Sequence, residues 1–394
     1  MIAVGLVAPP WLSAIAKADM IRMSRGGKPS SDTILVVCQF TGGNDGLNMV
    51  IPYADANYYK LRPTLGIPDS KSLKLDNQMA LHPGLTEIHD FYKAGKVAII
   101  QGVGYPNPNR SHFESMKIWQ SASPDNHYVD GWIGRHLDQQ LSVGPLNPVL
   151  AIGISNEQPL ALRGEKVSVP CFASLKDVNA LIGDPATQEL LREVQGGSGS
   201  GGSSQAIVRN ATDSALNAME ILSKQVQNYT PKEKYGTDQF GQGFQQIAQL
   251  IATSPATRVV YFSAGGFDTH ANQINTQQTL YSQFSAAAAA FQSEMEAIGK
   301  ADKVILLTFS EFGRRAYENG SGTDHGKAAP MFLIGSKVKG GLYGKVPDLS
   351  NLDQGDVPFQ IDFRQVYATA LDSWVGGDSE VVLGQKFESM PVFA

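Results

Sequence analysis

The chain has 394 residues, 42% hydrophobic and 18% charged, with a formal net charge of −5 and a pI near 5.8. That balance is of a folded globular protein and excludes a disordered or fibrous one. It offers no basic field to hold a phosphate backbone, which argues against nucleic acid as a partner, and the two cysteines, Cys38 and Cys171, allow neither a disulfide framework nor a thiolate metal cluster.

Residues 1–18, "MIAVGLVAPPWLSAIAKA", form an apolar stretch ending in Ala16-Lys17-Ala18, a small-x-small pattern like a signal-peptidase site, without a basic n-region. An ordinary N-terminal helix is the alternative, but Pro9-Pro10 argues against a packed element. The expectation is a truncated export signal, with a mature chain beginning near Asp19 in the periplasm or outside the cell. No other segment has the run of about 18 apolar residues needed to span a bilayer.

Short β-branched and apolar runs at 33–40, 97–101, 148–154, 257–263, 303–309 and 330–334 predict buried strands. Between the fourth and fifth, residues 276–300 place Leu280, Phe284, Ala288, Phe291, Met295 and Ile298 on one helical stripe, so the unit reads as a right-handed βαβ crossover. Its repetition predicts an α/β fold, with a mainly parallel mixed sheet covered by helices on both faces. The segment "GGSGSGGSS" at 196–204 has flexible-linker composition, and is read as a loop inside a single domain over 32–394.

Polar residues gather beside these strands. In "TGGNDGLNMVIPYAD", Asp45 follows the first strand, where open α/β sheets bind ligands, although Asn-Asp-Gly also suits a simple turn. "NPNRSHFESMKIW" puts Ser111 and His112 at a probable helix start, where a hydroxyl faces free N–H groups or merely caps them. "FSAGGFDTH" offers Asp268 and His270 on the same side of an extended segment. "LLTFSEFGRR" delivers Ser310 and Glu311 followed by Arg314 and Arg315, and "GTDHGKAAPMFLIG" places Asp324 and His325 before a strand. Each alone is equally a capped turn or a salt-bridged loop; together they predict one crevice. Carboxylates and neutral imidazoles suit Zn, Mn, Mg or Ca, and such a set can support metal-assisted hydrolysis, with Arg110, Arg314 and Arg315 available as anion clamps.

The motifs "GGNDGLNMVIPY", "NRSHFESM", "GWIGRHL", "GGFDTH", "SEFGRR" and "GTDHG" together resemble the exported bacterial family catalogued as domain of unknown function 1501, from about Asp32 to the end of the chain. That family stands near the alkaline phosphatase and sulfatase superfamily. The resemblance implies a large mixed sheet between helices, a site with one or two divalent metal ions, and export by the twin-arginine route. It also implies Asp45 as the first-strand metal carboxylate, Ser111 as nucleophile, Asp268 and His270 as ligands after a middle strand, and His325 as the last histidine ligand. The chain departs from the superfamily pattern at Asp268-Thr269-His270, where the pair is more closely spaced, and at Ser310-Glu311, which stands where an Asp-His pair is usual. The expected function is an exported metal-dependent hydrolase of phosphate or sulfate esters, on a small anionic or glycan-linked substrate. Ser111 attacks, Arg110 and Arg314 assist, and Asp45, Asp268, His270, Glu311 and His325 hold metal. The alternative is a non-catalytic envelope binding protein for an anionic or glycan ligand on the same fold.

Overall fold

The computed structural model describes residues 32–141, 146–175, 178, 184, 189, 215–225 and 229–394; the segments at 1–18 and 196–204 lie outside the described residues. Its main sheet is built from β1 (Ile34–Phe40), β2 (Val97–Gly104), β3 (Ala151–Ile154), β4 (Cys171–Phe172), β5 (Val259–Ala264), β6 (Val304–Ser310), β7 (Ala329–Ile334), β8 (Gly341–Tyr343) and β9 (Ile361–Asp362). The strands lie in the order β8-β2-β7-β6-β1-β5-β3-β4, with β9 also paired to β2. All six strands read from the sequence are present. β1 is buried along its whole length, as a continuous β-branched run at the centre of a covered sheet should be.

Strand direction sets up everything that follows. β7 runs antiparallel to both neighbours, β2 and β6, while the other pairings in the sheet are parallel. β1, β2, β5 and β6 therefore end at one edge of the sheet, and the reversed β7 begins at that same edge.

Alternate residues of β1 point to opposite faces, so two cores form. Val36, Cys38 and Phe40 pack under α3 (Gln239–Thr253) and α4 (Gln273–Ala297), against Phe244, Phe284 and Phe291. Leu35 and Val37 belong to the opposite core with α1 (His112–Ser121), α2 (Trp132–Leu141) and α5 (Phe363–Ala370), including Trp119, Trp132 and Tyr367. The sheet is thus mixed, mainly parallel and flanked by helices. Cys38 and Cys171 are both free.

α4 starts three residues earlier than the apolar stripe indicated. Its first turn, Gln273-Ile274-Asn275-Thr276, buries no apolar side chain, and it is fixed by Gln273, which is buried and bonds Asp45, Thr269 and Thr323. The helix joins β5 to β6, which flank β1 instead of touching each other. No described helix is long and apolar enough to cross a membrane.

Candidate metal centre

Four connections meet at the edge where β1, β2, β5 and β6 end. The loop after β1 comes within touching distance of the loop after β5: Gly42 has φ +124°, and a Cβ there would lie 2.3 Å from the backbone nitrogen of Asp268, so only glycine permits the approach. The Phe267 amide donates to the Thr41 carbonyl, the Thr323 amide to the Thr269 carbonyl, and the Gly326 amide to the Gly313 carbonyl. These bonds stitch the Asp268, Glu311 and His325 segments together. α1 brings its first residue, His112, to the same place from the β2 side.

Three imidazoles and one carboxylate converge there. His112, Asp268 and His325 each offer a ligand atom within 4.8 Å of the others, the group of histidine and acidic residues among the described residues with metal-site spacing. His270 joins them, its Nε2 lying 3.1 Å from Asp268 Oδ1 and 3.0 Å from His325 Nε2. His325 Nε2 is 3.2 Å from that same Oδ1, and His112 Nε2 is 3.5 Å from Oδ2.

The other ring nitrogen of each histidine is already engaged. His112 Nδ1 meets Glu311 Oε1 at 2.8 Å, His270 Nδ1 meets Asp324 Oδ1 at 3.2 Å, and His325 Nδ1 meets the Arg110 carbonyl at 2.8 Å. Carbonyl and ionised carboxylate oxygens only accept, so each Nδ1 is the donor, and in the neutral form that ligates metal each ring would turn an Nε2 lone pair to the centre. His112 Nε2 is buried and has no hydrogen-bond partner. A cluster of facing lone pairs is unfavourable without a cation between them, and three imidazole nitrogens with a carboxylate are a donor set for a zinc-class ion. The residues present therefore fit a divalent metal.

A family model described as protein of unknown function, DUF1501, matches residues 32–384. The chain belongs to that family. No curated protein matches it. Similar solved structures include the C-terminal periplasmic domain of EptC from Escherichia coli, at 10% identity and TM-score 0.42, covering 91% of this chain and 88% of that one. A protein in the alkaline phosphatase superfamily from Vibrio parahaemolyticus is similar at 10% identity and TM-score 0.40, over 93% and 76% of the two chains. The PsFucS1 sulfatase from Pseudoalteromonas sp. follows at 10% and 0.37, over 98% and 77%.

Electrostatics support an ionised centre. Burial works to raise the Asp268 carboxyl, but the Arg314 guanidinium, with His325 and His270 beside the carboxylate, outweighs it and holds the pKa at about 2. The bond to Glu311, against some burial, raises His112 above the usual histidine value.

The structure brings Asp268, His270 and His325 together and sets three of the expected residues elsewhere. Asp45, read as a metal ligand, is fully buried as the N-cap of the short helix Gly46–Met49. Its carboxylate accepts from the Leu47 and Asn48 amides, from Gln273, and from Arg62 at 2.5 Å. Those four donors use up its oxygens, which corrects the ligand reading. Glu311, also expected as a ligand, stands behind His112 and accepts from the Gly42 amide as well, so it orients the His112 ring and does not itself face the cluster. Arg314, expected as an anion clamp, has a fully buried side chain that donates to the carbonyls of Gly42, Gly43, Phe267 and Thr323 and to Asp268. With no exposed side-chain surface, it presents no donor to a ligand. Arg110 is one-third exposed and pairs with the buried Asp356, which also faces Arg315 at 3.8 Å.

Ser111 is the N-cap residue of α1, yet its side chain makes no capping hydrogen bond. The sequence reading named His112 only as its neighbour; the signal available was its place, at a helix start after a strand of the same sheet edge. Asp324, for which the sequence suggests no role, holds His270.

Proposed function

We propose that the chain is an exported metal-dependent hydrolase of phosphate or sulfate esters, with His112, Asp268, His270 and His325 as the ligand set and Ser111 as the nucleophile. The observation that carries this reading is the arrangement of the three histidines: each Nδ1 bonded to an oxygen, each Nε2 within 3.5 Å of an Asp268 carboxylate oxygen. Ligating histidines are held in this way by outer oxygen acceptors, which fix the tautomer and raise ligand basicity. A bound divalent ion would neutralise the anionic ester oxygens and favour the ionised form of a nearby hydroxyl.

The chain's own residues supply the rest. The uncapped Ser111 hydroxyl begins α1, a ten-residue helix, so its oxygen lies at the positive end of the helix dipole. Attack of Oγ on phosphorus or sulfur forms the serine ester and releases the alcohol; water then cleaves that ester to return the hydroxyl. Arg110, held by Asp356 and partly exposed, is placed one residue before the nucleophile to orient the ester anion. Export belongs to the same reading and is supported by the Ala16-Lys17-Ala18 segment.

The test is metal content followed by turnover. Purified protein loaded with Zn, Mn, Mg or Ca and assayed on phosphate mono- and diesters and sulfate esters should bind a stoichiometric ion and hydrolyse one class. Absence of both would leave the binding-protein alternative.

A further inference from the structure

A second concavity opens at the same sheet edge, between the ends of β3 and β5 and the first turns of α3. It has a volume of about 690 Å³, within the roughly 300–1,000 Å³ typical of small-molecule clefts. Of its fifteen lining residues six are amides and only Glu157 is charged. The lining excludes two ligand chemistries at once. A cation would find one exposed carboxylate, and an anion would find no counter-charge and that same repelling carboxylate.

An amide side chain both donates and accepts, as a sugar hydroxyl does. Gln120 and Gln246 are buried and spent on the protein, in bonds to Gln39, Leu160 and Leu175. Asn156, Gln158, Gln239 and Gln242 are exposed. Among the described residues, Gln158 and Gln242 use only their NH2 groups and Asn156 makes no bond, so acceptor and donor capacity remains in the cleft. Phe262, Pro159 and Leu160 add apolar surface, which the C–H faces of a pyranose ring require.

The cleft and the histidine cluster are joined by covalent structure. α1 begins at His112 and reaches the cleft at Gln120, eight residues or about 12 Å along a helix axis. Gln239 holds the backbone of Gly265 from both sides, its NH2 donating to the carbonyl at 2.9 Å and its oxygen accepting from the amide at 3.0 Å. Gly265 opens the loop that carries Asp268 and His270.

We infer that this cleft binds an uncharged, polyhydroxylated chain, the sugar portion of an ester whose anionic end lies at the His112, Asp268 and His325 cluster. The placement of the anionic end rests on the hydrolase reading; occupancy of the cleft by a neutral glycan does not.

The experiment is an array of unsulfated, unphosphorylated oligosaccharides, printed beside sulfated oligosaccharides and uncharged peptides, followed by calorimetry with the best neutral oligosaccharide. The wild-type chain should bind at least one neutral oligosaccharide. The Asn156→Ala/Gln242→Ala pair, both exposed positions, should weaken it about tenfold or more, as loss of one or two hydrogen bonds would. Asn156→Ala alone should weaken it in the same direction, and His325→Ala should leave it within about twofold. Binding of peptides only, binding of nothing, or an unchanged Kd in the double variant overturns the inference. Neutral-glycan binding without ester hydrolysis under any metal would sink the hydrolase reading and leave the cleft standing. Hydrolysis with the same KM for simple-alcohol and sugar esters, unmoved by the double variant, would do the reverse.

Discussion

Replacing Glu311 with glutamine removes one charge while keeping the side chain's shape. Glu311 is buried; its Oε1 accepts from the Gly42 amide and from His112 Nδ1, both at 2.8 Å, and its Oε2 faces Ser310 Oγ at 3.2 Å. A glutamine can set its carbonyl where Oε1 stands and turn its NH2 to Ser310, whose own proton goes to the Phe40 carbonyl at 2.7 Å. The scaffold therefore survives, and what is lost is the anion behind the imidazole. Loss of such an outer partner costs roughly 10–100-fold in metal affinity, or about 1.4–2.8 kcal/mol. Chelator-stripped protein titrated with Zn against a competing dye measures this directly. Glu311→Gln should bind more weakly by that factor while melting near the wild-type temperature without metal, and His112→Ala should lose more. In metal-free protein, NMR should also find the His112 pKa lowered by Glu311→Gln, since the Glu311 bond is the main cause of its elevation. Wild-type Zn affinity in both variants would refute the assignment of His112 as a ligand oriented by Glu311.

Asp45→Ala leaves Arg62 buried without its partner and should cost about 3–5 kcal/mol of stability, with unchanged metal affinity in the folded fraction; lost metal at full stability would restore Asp45 as a ligand. Ser111→Ala should abolish ester hydrolysis yet shift stability by less than about 0.5 kcal/mol, because the hydroxyl makes no capping bond; retained turnover would remove Ser111 from the mechanism. His82 is buried, and burial depresses its pKa from 6.5 to about 4, so the unfolded chain binds the extra proton first. Stability is then complete above pH 6.5 and falls by about 3 kcal/mol as pH drops to about 4. In His82→Gln, which keeps an acceptor for the Gly84 amide, denaturant titrations should show that slope flattened, and an undiminished slope would assign it to other groups.

The six strands were legible because a strand buried on both faces has to be a continuous apolar run, as Ile34–Phe40 is. The three-stranded sheet of Val50–Ile51, Leu73–Lys74 and Ala80–Leu81 was not, since two residues carry no period. The reversal of β7 was also hidden, because strand composition does not encode direction. The meeting of Asp268, His270 and His325 could be read because each lies a few residues from a strand boundary. Asp45 lies just as close, and was misassigned for want of its partners: Arg62 is 17 residues on and Gln273 is 228. Glu311 and His112 are 199 residues apart, so no spacing rule could show which of them faces the centre and which stands behind it.

Arg314 explains why the loops keep this geometry. From the loop after β6 its guanidinium reaches the carbonyls of Gly42 and Gly43 after β1, of Phe267 after β5 and of Thr323 before β7, together with the Asp268 carboxylate. Burying a cation is tolerable only when it is well partnered, and here four carbonyls and a carboxylate engage all three of its nitrogens. The same contact helps keep Asp268 ionised and aimed at the histidines. A lysine would offer one ammonium with three donors on a flexible stem, too few for the five acceptors and without the planar fork that spans them. The residue that sequence chemistry marks as an anion clamp thus serves as the tie between three connections, and the donor atoms of the cluster are positioned by the chain's own packing.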